Sequence, residues 1–517
     1  MNSKNYKNRL YGLLLVAVTC VAACTGDFEE INRNKDQASK GDMEKENYII
    51  GSTLKGMQSL VSMVEEHLFQ FVQSLCANSY AGYMEATPAW TEKFSTYNWP
   101  SNWLDAAFKD IMTKTYPYYR DIHNQTDDPV ALAMADVLRV SIMHRLTDMF
   151  GPIPYTKTME RTDESLKVGY DSQAEAYDRM FAELDAAIAV FAENTGLPDS
   201  AFAKFDNVYF GNISRWMKYA NSLKLRMAMR LSYVDAEKSK RLAGEAIAGG
   251  VIEANADNAL HTVEENRAAL VYNNWKDHRI GADILSYMNG YKDPRRETMF
   301  TKVDGAFYGM RIGIDPIDRD LMILTYSNIV VTDKDPYLWM NAAEVAFLRS
   351  EYELRWGTAD GARTLYEKAI RLSFEERGAS GAESYITDEV STPLAYTDPL
   401  LEYTVTAPRS NITIKWSDAE GSYEQNLERI ITQKWIAIFP LGMEAWAEQR
   451  RTGYPRLLPV VMNKSGNTIN SDFGIRRLPY PADEYKENAE NLEQAIVMLG
   501  GPDNGGTRLW WDCKNFN

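Results

Sequence analysis

Apolar residues recur at helical spacing through most of the chain. In WMKYANSLKLRMAMRL, residues 216–231, Trp216, Tyr219 and Leu223 fall on one face of a helix, and Leu225 lies on the opposite face. A helix that is apolar on two sides packs between neighbouring helices, as in proteins built from stacked helical pairs. The pattern therefore predicts a mostly α-helical protein.

One helical pair can be followed through AEVAFLRSEYELRWGTADGARTLYEKAIRLSFEERG, residues 343–378. The spacing predicts a first helix that ends near Trp356, a turn at Gly357, and a second helix from about Asp360 with Tyr366 facing inward. Helix, turn and helix within about 34 residues is the period of the tetratricopeptide repeat.

Similar pairs are predicted at 131–149 with 171–192 and at 216–232 with 236–248. Long irregular segments, with short strand-like pieces such as RSNITIKW, separate the helices: 78–103, 262–340 and 379–425. Loops of this length inside a compact body usually carry function. We therefore expect a tetratricopeptide-like helical-pair scaffold with long irregular ligand-binding loops.

The N-terminus has the pattern of an export signal. A basic start is followed by an almost wholly apolar run from Leu10 to Cys20, which is too short to span a bilayer unaided. Val21, Ala22 and Ala23 before Cys24 resemble a bacterial lipobox, whose cysteine is acylated before cleavage. The alternatives are a plain secretory signal and a buried thiol.

The lipobox interpretation divides the chain into three parts. We expect a lipoprotein signal peptide at 1–23, a flexible polar tether at 24–47 that starts at the lipidated Cys24, and a folded body at 48–517. No later stretch reaches 18 consecutive apolar residues, so the lipid is the expected membrane attachment. Acyl chains contribute about 0.8 kcal/mol per buried methylene, which makes several chains on one cysteine a firm anchor.

Charge and cysteine content narrow the function classes. The 517 residues carry a net charge of −16, which argues against nucleic acid or an anionic lipid surface as a partner.

Of the four cysteines, Cys20 lies in the signal and Cys24 is the expected lipidation site, so Cys76 and Cys513 remain in the folded body. In an oxidising envelope they pair in a disulfide, or each is a small buried hydrophobe.

Catalytic patterns are weak. STLK at 52–55, YAN at 219–221 and KSG at 464–466 resemble, in this order, the motifs of serine acylases of the penicillin-binding class. The YAN residues lie inside the doubly apolar helix and KSG lies in a turn, so chance is the simpler interpretation. The five histidines are scattered, with no pair at a spacing that shares a metal.

Cofactors are not expected. Asp315, Asp318 and Asp320 in DPIDRD offer oxygen ligands for a structural calcium ion. Their spacing departs from the helix–loop–helix calcium loop, which favours a solvated turn.

Aromatic residues are concentrated in 80–119, where eleven of forty residues are Phe, Trp or Tyr against 12% in the whole chain. An aromatic ring offers a flat apolar face for a sugar, and neighbouring amides bind its hydroxyl groups. We predict Tyr83, Trp90 and Trp99 as stacking groups and Asn78 as a hydroxyl partner. The alternative for each ring is a place in the core.

A second polar and aromatic loop is YNNWKDH, residues 272–278. It adds Asn274 and Trp275 to the predicted ligand-binding residues, again as a hydroxyl partner and a stacking group.

Several motifs together resemble the SusD/RagB outer-membrane lipoproteins, in particular their SusD-like, starch-binding-associated branch. The order and the long intervals of these motifs agree with the family: DFEEINRN, DVLRVSIMHRLTDMFGPIPYTK, YDSQAEAYDRMFAELDAAI, WMKYANSLKLRMAMRLS, DPR at 293–295, QKWIAIFPLGMEAWAEQRRTGYPRL and RRLPYP. They extend over almost the whole chain after the signal.

The resemblance implies four tetratricopeptide-like pairs and irregular loops that carry the ligand. It also implies a lipid-anchored protein on the outer face of the outer membrane, acting as a lid over a SusC-like TonB-dependent transporter. Such proteins capture glycans, or in some members peptides, without chemistry. We therefore expect a glycan-binding uptake lipoprotein, with a peptide-binding uptake protein, a serine acylase and a purely structural scaffold as alternatives.

Overall fold

The computed structural model describes residues 48–159, 167–195 and 203–515. Almost all of them belong to one compact unit, Ile50–Asn517. The predicted signal peptide, tether and lipidated Cys24 lie outside the described residues. Eleven longer helices form the framework: α1 Tyr48–Ser62, α2 Ile111–Gln125, α3 Pro129–Phe150, α4 Gln173–Asn194, α5 Ile213–Arg230, α6 Ala236–Ala248, α7 Ala342–Trp356, α8 Ala359–Glu376, α9 Tyr423–Ala437, α10 Gly442–Thr452 and α11 Ala489–Leu499.

Short elements fill the segments between these helices. The short α-helices are Glu66–Leu68, Asn78–Tyr80, Ser101–Asp105, Arg267–Ala269, Ala282–Gly290, Arg296–Met299, Arg319–Thr325, Ala382–Ile386 and Ala482–Glu487. Four strands form two antiparallel ribbons: β1 Met84–Ala86 with β3 His278–Ile280, and β2 Ala259–His261 with β4 Tyr337–Met340. The first ribbon joins the two loop regions in which the sequence predicts ligand contacts.

The predicted helical pairs are confirmed. Helix α3 packs on α4, α5 on α6, and α7 on α8. The turn between α7 and α8 falls at Gly357, as the sequence predicts. Helix α5 is buried on both faces, since neither Leu223 nor Leu225 is exposed to solvent. The mostly α-helical class is thereby confirmed.

Side-chain caps fix where these helices begin. Asp128 accepts a hydrogen bond from the Val130 amide at the start of α3. Ser172 and Glu175 form a reciprocal capping box at the start of α4. Thr358 caps α8 through the Gly361 amide. Each cap satisfies a backbone donor that has no partner within the helix, which is worth about 0.5–2 kcal/mol.

The repeat helices are joined by a buried charge network. We use this name for nine charged side chains, each at most 6% exposed and each paired with an opposite charge: Asp148, Arg226, Arg230, Glu344, Glu351, Lys434, Glu444, Glu448 and Arg451. They come from α3, α5, α7, α9 and α10. Buried charges that lose a partner are costly, so separating any of these five helices from the others would be unfavourable.

Arg451 shows the geometry of the network. Its guanidinium binds Glu351 through Nη1 and Nη2, at 2.7 and 2.6 Å. It also binds Glu448 through Nε and Nη2, at 2.8 and 2.7 Å. Two bidentate pairs on one planar group fix its orientation.

The DPR motif is also internal. Arg295 is fully buried and binds Asp293, Ser373 and Gln433. Its guanidinium lies 4.9 Å from the centre of the Phe374 ring. This motif therefore connects the short helices after residue 281 to α8 and α9.

One local prediction is wrong. RSNITIKW, residues 409–416, forms no strand. The Arg429 side chain donates to the Thr413 carbonyl oxygen at 3.1 Å and to its hydroxyl at 3.0 Å, which replaces partners that a neighbouring strand would supply. The segment is an irregular loop held to α9 by these bonds, and its Trp416 ring packs on Tyr366 of α8.

Candidate functional site

Seven rings contact one another in an unbroken row, which we call the aromatic ridge. From one end, Trp275 contacts His67, His67 contacts Phe71, and Phe71 contacts Trp103. Trp103 contacts both Trp90 and Phe94, and Phe94 contacts Trp99 at the other end. Neighbouring ring centroids are 5.2 to 6.2 Å apart. The ridge brings Trp90, Trp99 and Trp275, all predicted as stacking groups, into one feature.

The ridge is only partly covered. Trp90, Trp99, Trp275 and Phe71 are half-buried and His67 is exposed, whereas Trp103 and Phe94 are buried beneath them. Rings held from below by other rings keep their orientation while part of each surface remains available. Such a row can accept the apolar faces of consecutive units of an extended ligand.

π-Helical segments position three of the rings. Phe71 lies within Phe69–Ala77, Trp275 ends Leu270–Trp275, and Trp103 is followed within one turn by Ala106–Asp110. These are all the π-helical segments in the part of the chain that the structure describes. Such segments are rare and occur preferentially at functional sites, which supports the ridge as the candidate site.

The backbone is also unusual at both ends of the ridge. Tyr97, between Phe94 and Trp99, has φ of 63°, and Lys276, directly after Trp275, has φ of 59°. Residues other than glycine rarely adopt this left-handed conformation, which costs of order 1–3 kcal/mol unless the surroundings enforce it. Each of these residues ends a helical segment that carries a ridge ring.

Polar groups flank the Trp275 end. Asp277 accepts hydrogen bonds from Gln70 Nε2 and from Arg319 Nη2, both at 2.8 Å, and Arg319 also binds the Trp275 carbonyl oxygen. Burial raises the pKa of Asp277, and Arg319 and Gln70 oppose that rise. Asn274 is exposed beside them. This arrangement fixes the Trp275 loop and leaves an amide at its surface.

The Trp99 end also has an amide. Asn98 donates to the Thr91 carbonyl oxygen at 2.9 Å and accepts from the Thr96 hydroxyl at 2.5 Å. These bonds hold the turn between Trp90 and Trp99.

Tyr83 and Asn78, the other predicted ligand contacts, lie in the interior. The Tyr83 hydroxyl donates to the Trp435 carbonyl oxygen, and its ring stacks on the Trp435 indole at 5.4 Å. Asn78 Nδ2 donates to the Tyr272 hydroxyl at 3.2 Å. Neither side chain is exposed to solvent, so we leave both out of the candidate site.

Four ridge members, His67, Phe71, Phe94 and Trp103, were not among the predicted ligand contacts. Phe94 and Trp103 lie within the aromatic-rich segment 80–119. His67 and Phe71 are four residues apart, a spacing that places both on one side of a helix, and this signal could have identified them. Gln70 and Asp277 are 207 residues apart in sequence, so no local pattern reveals their contact.

The acylase-like motifs do not assemble. Tyr219 is fully buried and shares a hydrogen bond with Ser141, whereas Ser52 and Lys464 are exposed, the latter near Asp315. A serine–histidine contact does occur between Ser62 Oγ and His261 Nδ1, at 2.7 Å. Burial lowers the pKa of His261 to about 4, which makes it a weak general base at neutral pH.

Asp318 of DPIDRD caps the helix Arg319–Thr325 through the Leu321 amide. Among the described residues no group of three or more His, Cys, Asp or Glu side chains is placed to hold a metal ion.

Cys76 is buried and Cys513 exposed, and the two are unpaired. Within the described ranges no helix is long and apolar enough to cross a membrane.

Comparison with solved structures gives close matches. A SusD homologue from Bacteroides thetaiotaomicron is 50% identical, with a TM-score of 0.87 over 90% of this chain and 99% of its own. A SusD homologue from Bacteroides uniformis is 40% identical, with a TM-score of 0.85 over 90% and 100%. A chitin-binding SusD homologue from Flavobacterium johnsoniae is 37% identical, with a TM-score of 0.84 over 90% and 99%. No curated protein sequence matches the chain.

The family model described as SusD-like, SusD and RagB outer membrane lipoprotein, matches residues 30–512. This match and the solved neighbours confirm the resemblance drawn from the motifs, and both point to a binding protein rather than an enzyme. The chain belongs to the SusD-like family of outer membrane lipoproteins.

Proposed function

We propose that the protein captures oligosaccharides at the aromatic ridge on the cell surface and passes them to a SusC-like TonB-dependent transporter in the outer membrane. The observation that carries the proposal is the ridge itself, in which half-buried rings from distant parts of the sequence form one row. The family description as outer membrane lipoprotein supports the location.

The ridge suits a chain of sugars. A pyranose has an apolar face of CH groups that packs on an aromatic ring, while its hydroxyl groups need polar partners. Asn274 supplies an exposed amide beside Trp275, and Asp277 and Asn98, which are held by hydrogen bonds within the protein, add a carboxylate and an amide at the two ends. The chitin-binding homologue from Flavobacterium johnsoniae supports a glycan as the ligand class.

The proposed ligand class is tested by titrating the purified protein with chito-, malto- and xylo-oligosaccharides of increasing length by calorimetry. We expect one class to bind, with an affinity that rises with length as more rings are covered, and without product formation. Binding of peptides and of no glycan would replace the proposal by peptide uptake, and turnover of any sugar would contradict it.

The anchor and the partner need separate experiments. Cys24→Ala should release the protein from the membrane fraction, because acylation at Cys24 is the proposed attachment; retention after a high-salt wash would contradict it.

Affinity purification of the wild-type chain from mild detergent should recover a β-barrel transporter in near-equal amount. Recovery of the chain alone, where a known transporter–lid pair survives, would favour a free-standing surface binder.

A further inference from the structure

A cavity of about 410 Å³ lies between the end of α1, the β2–β4 ribbon and the corner at Phe439–Leu441. Its lining includes Arg145, Arg377, Ser62, Gln73, Tyr337 and Phe439. None of the seven ridge rings contributes to this lining. Its volume is within the range of small-molecule binding pockets.

The two arginines of this cavity are hydrogen-bonded to backbone carbonyl oxygens. Arg145 donates through Nη1 to the Val61 carbonyl oxygen at 2.7 Å, and Arg377 donates through Nη2 to the Phe439 carbonyl oxygen. Neither forms an ion pair with a carboxylate of the described residues, and the Arg377 Nε is buried without a hydrogen-bond partner. Both arginines are half-buried, in contrast to the fully buried and paired arginines of the buried charge network.

Acidic groups at the cavity wall are already engaged. Glu376 accepts from Asn341 at 2.7 Å and from Asn258 at 3.3 Å; burial raises its pKa, and the charge of the neighbouring Arg377 and the Asn341 bond oppose that rise. Asp335 accepts from the Thr332 amide at 2.7 Å. The remaining donors of both guanidinium groups are therefore left for a ligand.

Arg145 remains charged at neutral pH. Burial and the nearby Arg226 guanidinium lower its pKa to about 10, which is still well above 7. Arg145 thus places a positive charge in partly dehydrated surroundings, where a charge-assisted hydrogen bond is stronger than in water.

We propose that this cavity binds the carboxylate of a monosaccharide-sized organic acid, such as a hexuronic acid. Arg145 and Arg377 bind the carboxylate, because guanidinium donors match its two oxygens. The rings of Tyr337 and Phe439 line the same space and contact the body of the ligand. The site is separate from the ridge and does not depend on the glycan proposal.

The test compares sodium glucuronate with glucuronamide and glucose, using the full-length protein in detergent and calorimetry at pH 7. The first two ligands differ in the charged group alone. We expect glucuronate to bind, the two neutral sugars not to bind at this site, and added salt to weaken the binding. Equal binding of glucuronate and glucuronamide, or no glucuronate binding, would overturn the proposal without any variant having to fold.

Variants then locate the site. Arg145→Gln and Arg377→Gln should each weaken glucuronate binding by at least about tenfold. Trp90→Ala, on the ridge, should leave it unchanged. Unchanged binding in both arginine variants, or loss of binding in Trp90→Ala, would overturn the assignment. The Arg377→Gln variant is also titrated with oligosaccharide. Oligosaccharide binding equal to that of wild type would show that the loss of glucuronate binding is independent of the glycan proposal.

Discussion

In the buried charge network every charged side chain meets an opposite charge and is hidden from solvent, whereas in the aromatic ridge five of seven rings keep part of their surface uncovered. Most of the network lies in the family motifs: Arg226 and Arg230 lie in WMKYANSLKLRMAMRLS, and Glu448 and Arg451 in QKWIAIFPLGMEAWAEQRRTGYPRL, whereas Glu344 and Glu351 lie outside these motifs. No ridge ring lies in any of the family motifs. The residues that make the family recognisable thus determine how helices pack and say little about the ligand.

The largest expected effect comes from breaking the network. Arg451→Met leaves Glu351 and Glu448 as buried charges with fewer partners, so we expect the free energy of unfolding to fall by about 3–5 kcal/mol. Urea titration followed by circular dichroism measures it. Arg371→Met is the matched control, because Arg371 pairs with Glu383 at the surface, where such pairs contribute about 0–1 kcal/mol. Equal losses in both variants would remove the distinction.

The second-largest effect is expected from lowering the pH, which should reduce the stability that the buried charge network contributes. Burial alone would raise the pKa of Glu444, but Arg230, Lys434 and Arg226 outweigh it and lower the pKa from 4.5 to about 2. Between these values the unfolded chain binds more protons, so this contribution to stability is full above pH 4.5 and is lost as the pH falls toward 2.

Urea titrations of wild type and Glu444→Gln between pH 6 and 3 test this sign. The difference in unfolding free energy between them should shrink as the pH falls. A difference that stays constant would contradict the lowered pKa.

On the ridge, the expected loss is in binding rather than stability. Trp90→Ala should weaken oligosaccharide binding by about 1–3 kcal/mol, the range for removing an aromatic anchor, and leave the fold intact. Tyr118→Ala, which removes an exposed ring of the same segment outside the ridge, is the control. Unchanged binding with a lowered melting temperature would make Trp90 a core residue.

The smallest effect is expected where a charged pair supports the ridge. Arg319→Met removes the bonds to Asp277 and to the Trp275 carbonyl oxygen at an exposed site, so oligosaccharide binding should weaken by up to about 1 kcal/mol. The melting temperature should not change. A loss as large as that of Trp90→Ala would show that the Trp275 loop dominates binding.

Helix pairs could be predicted because their pattern is local: apolar spacing and a glycine at a turn define α7 and α8 within 35 residues. Ridge membership could not be predicted completely, because aromatic enrichment does not separate a surface ring such as Trp90 from a core ring such as Tyr83. The position of Trp275 beside His67 depends on the β1–β3 pairing, which brings distant segments together.

The π-helical segment Phe69–Ala77 makes the direction of Phe71 depend on chain length as well as on side-chain identity. Its wider turn has one more residue than an α-helical turn, so deleting a single residue there would restore ordinary helical bonding. Each residue of an α-helix turns the chain by about 100° and each residue of the wider turn by less, so the deletion would change the direction of Phe71 relative to the residues on either side of it. A one-codon deletion that retains every aromatic residue should therefore disturb the aromatic ridge.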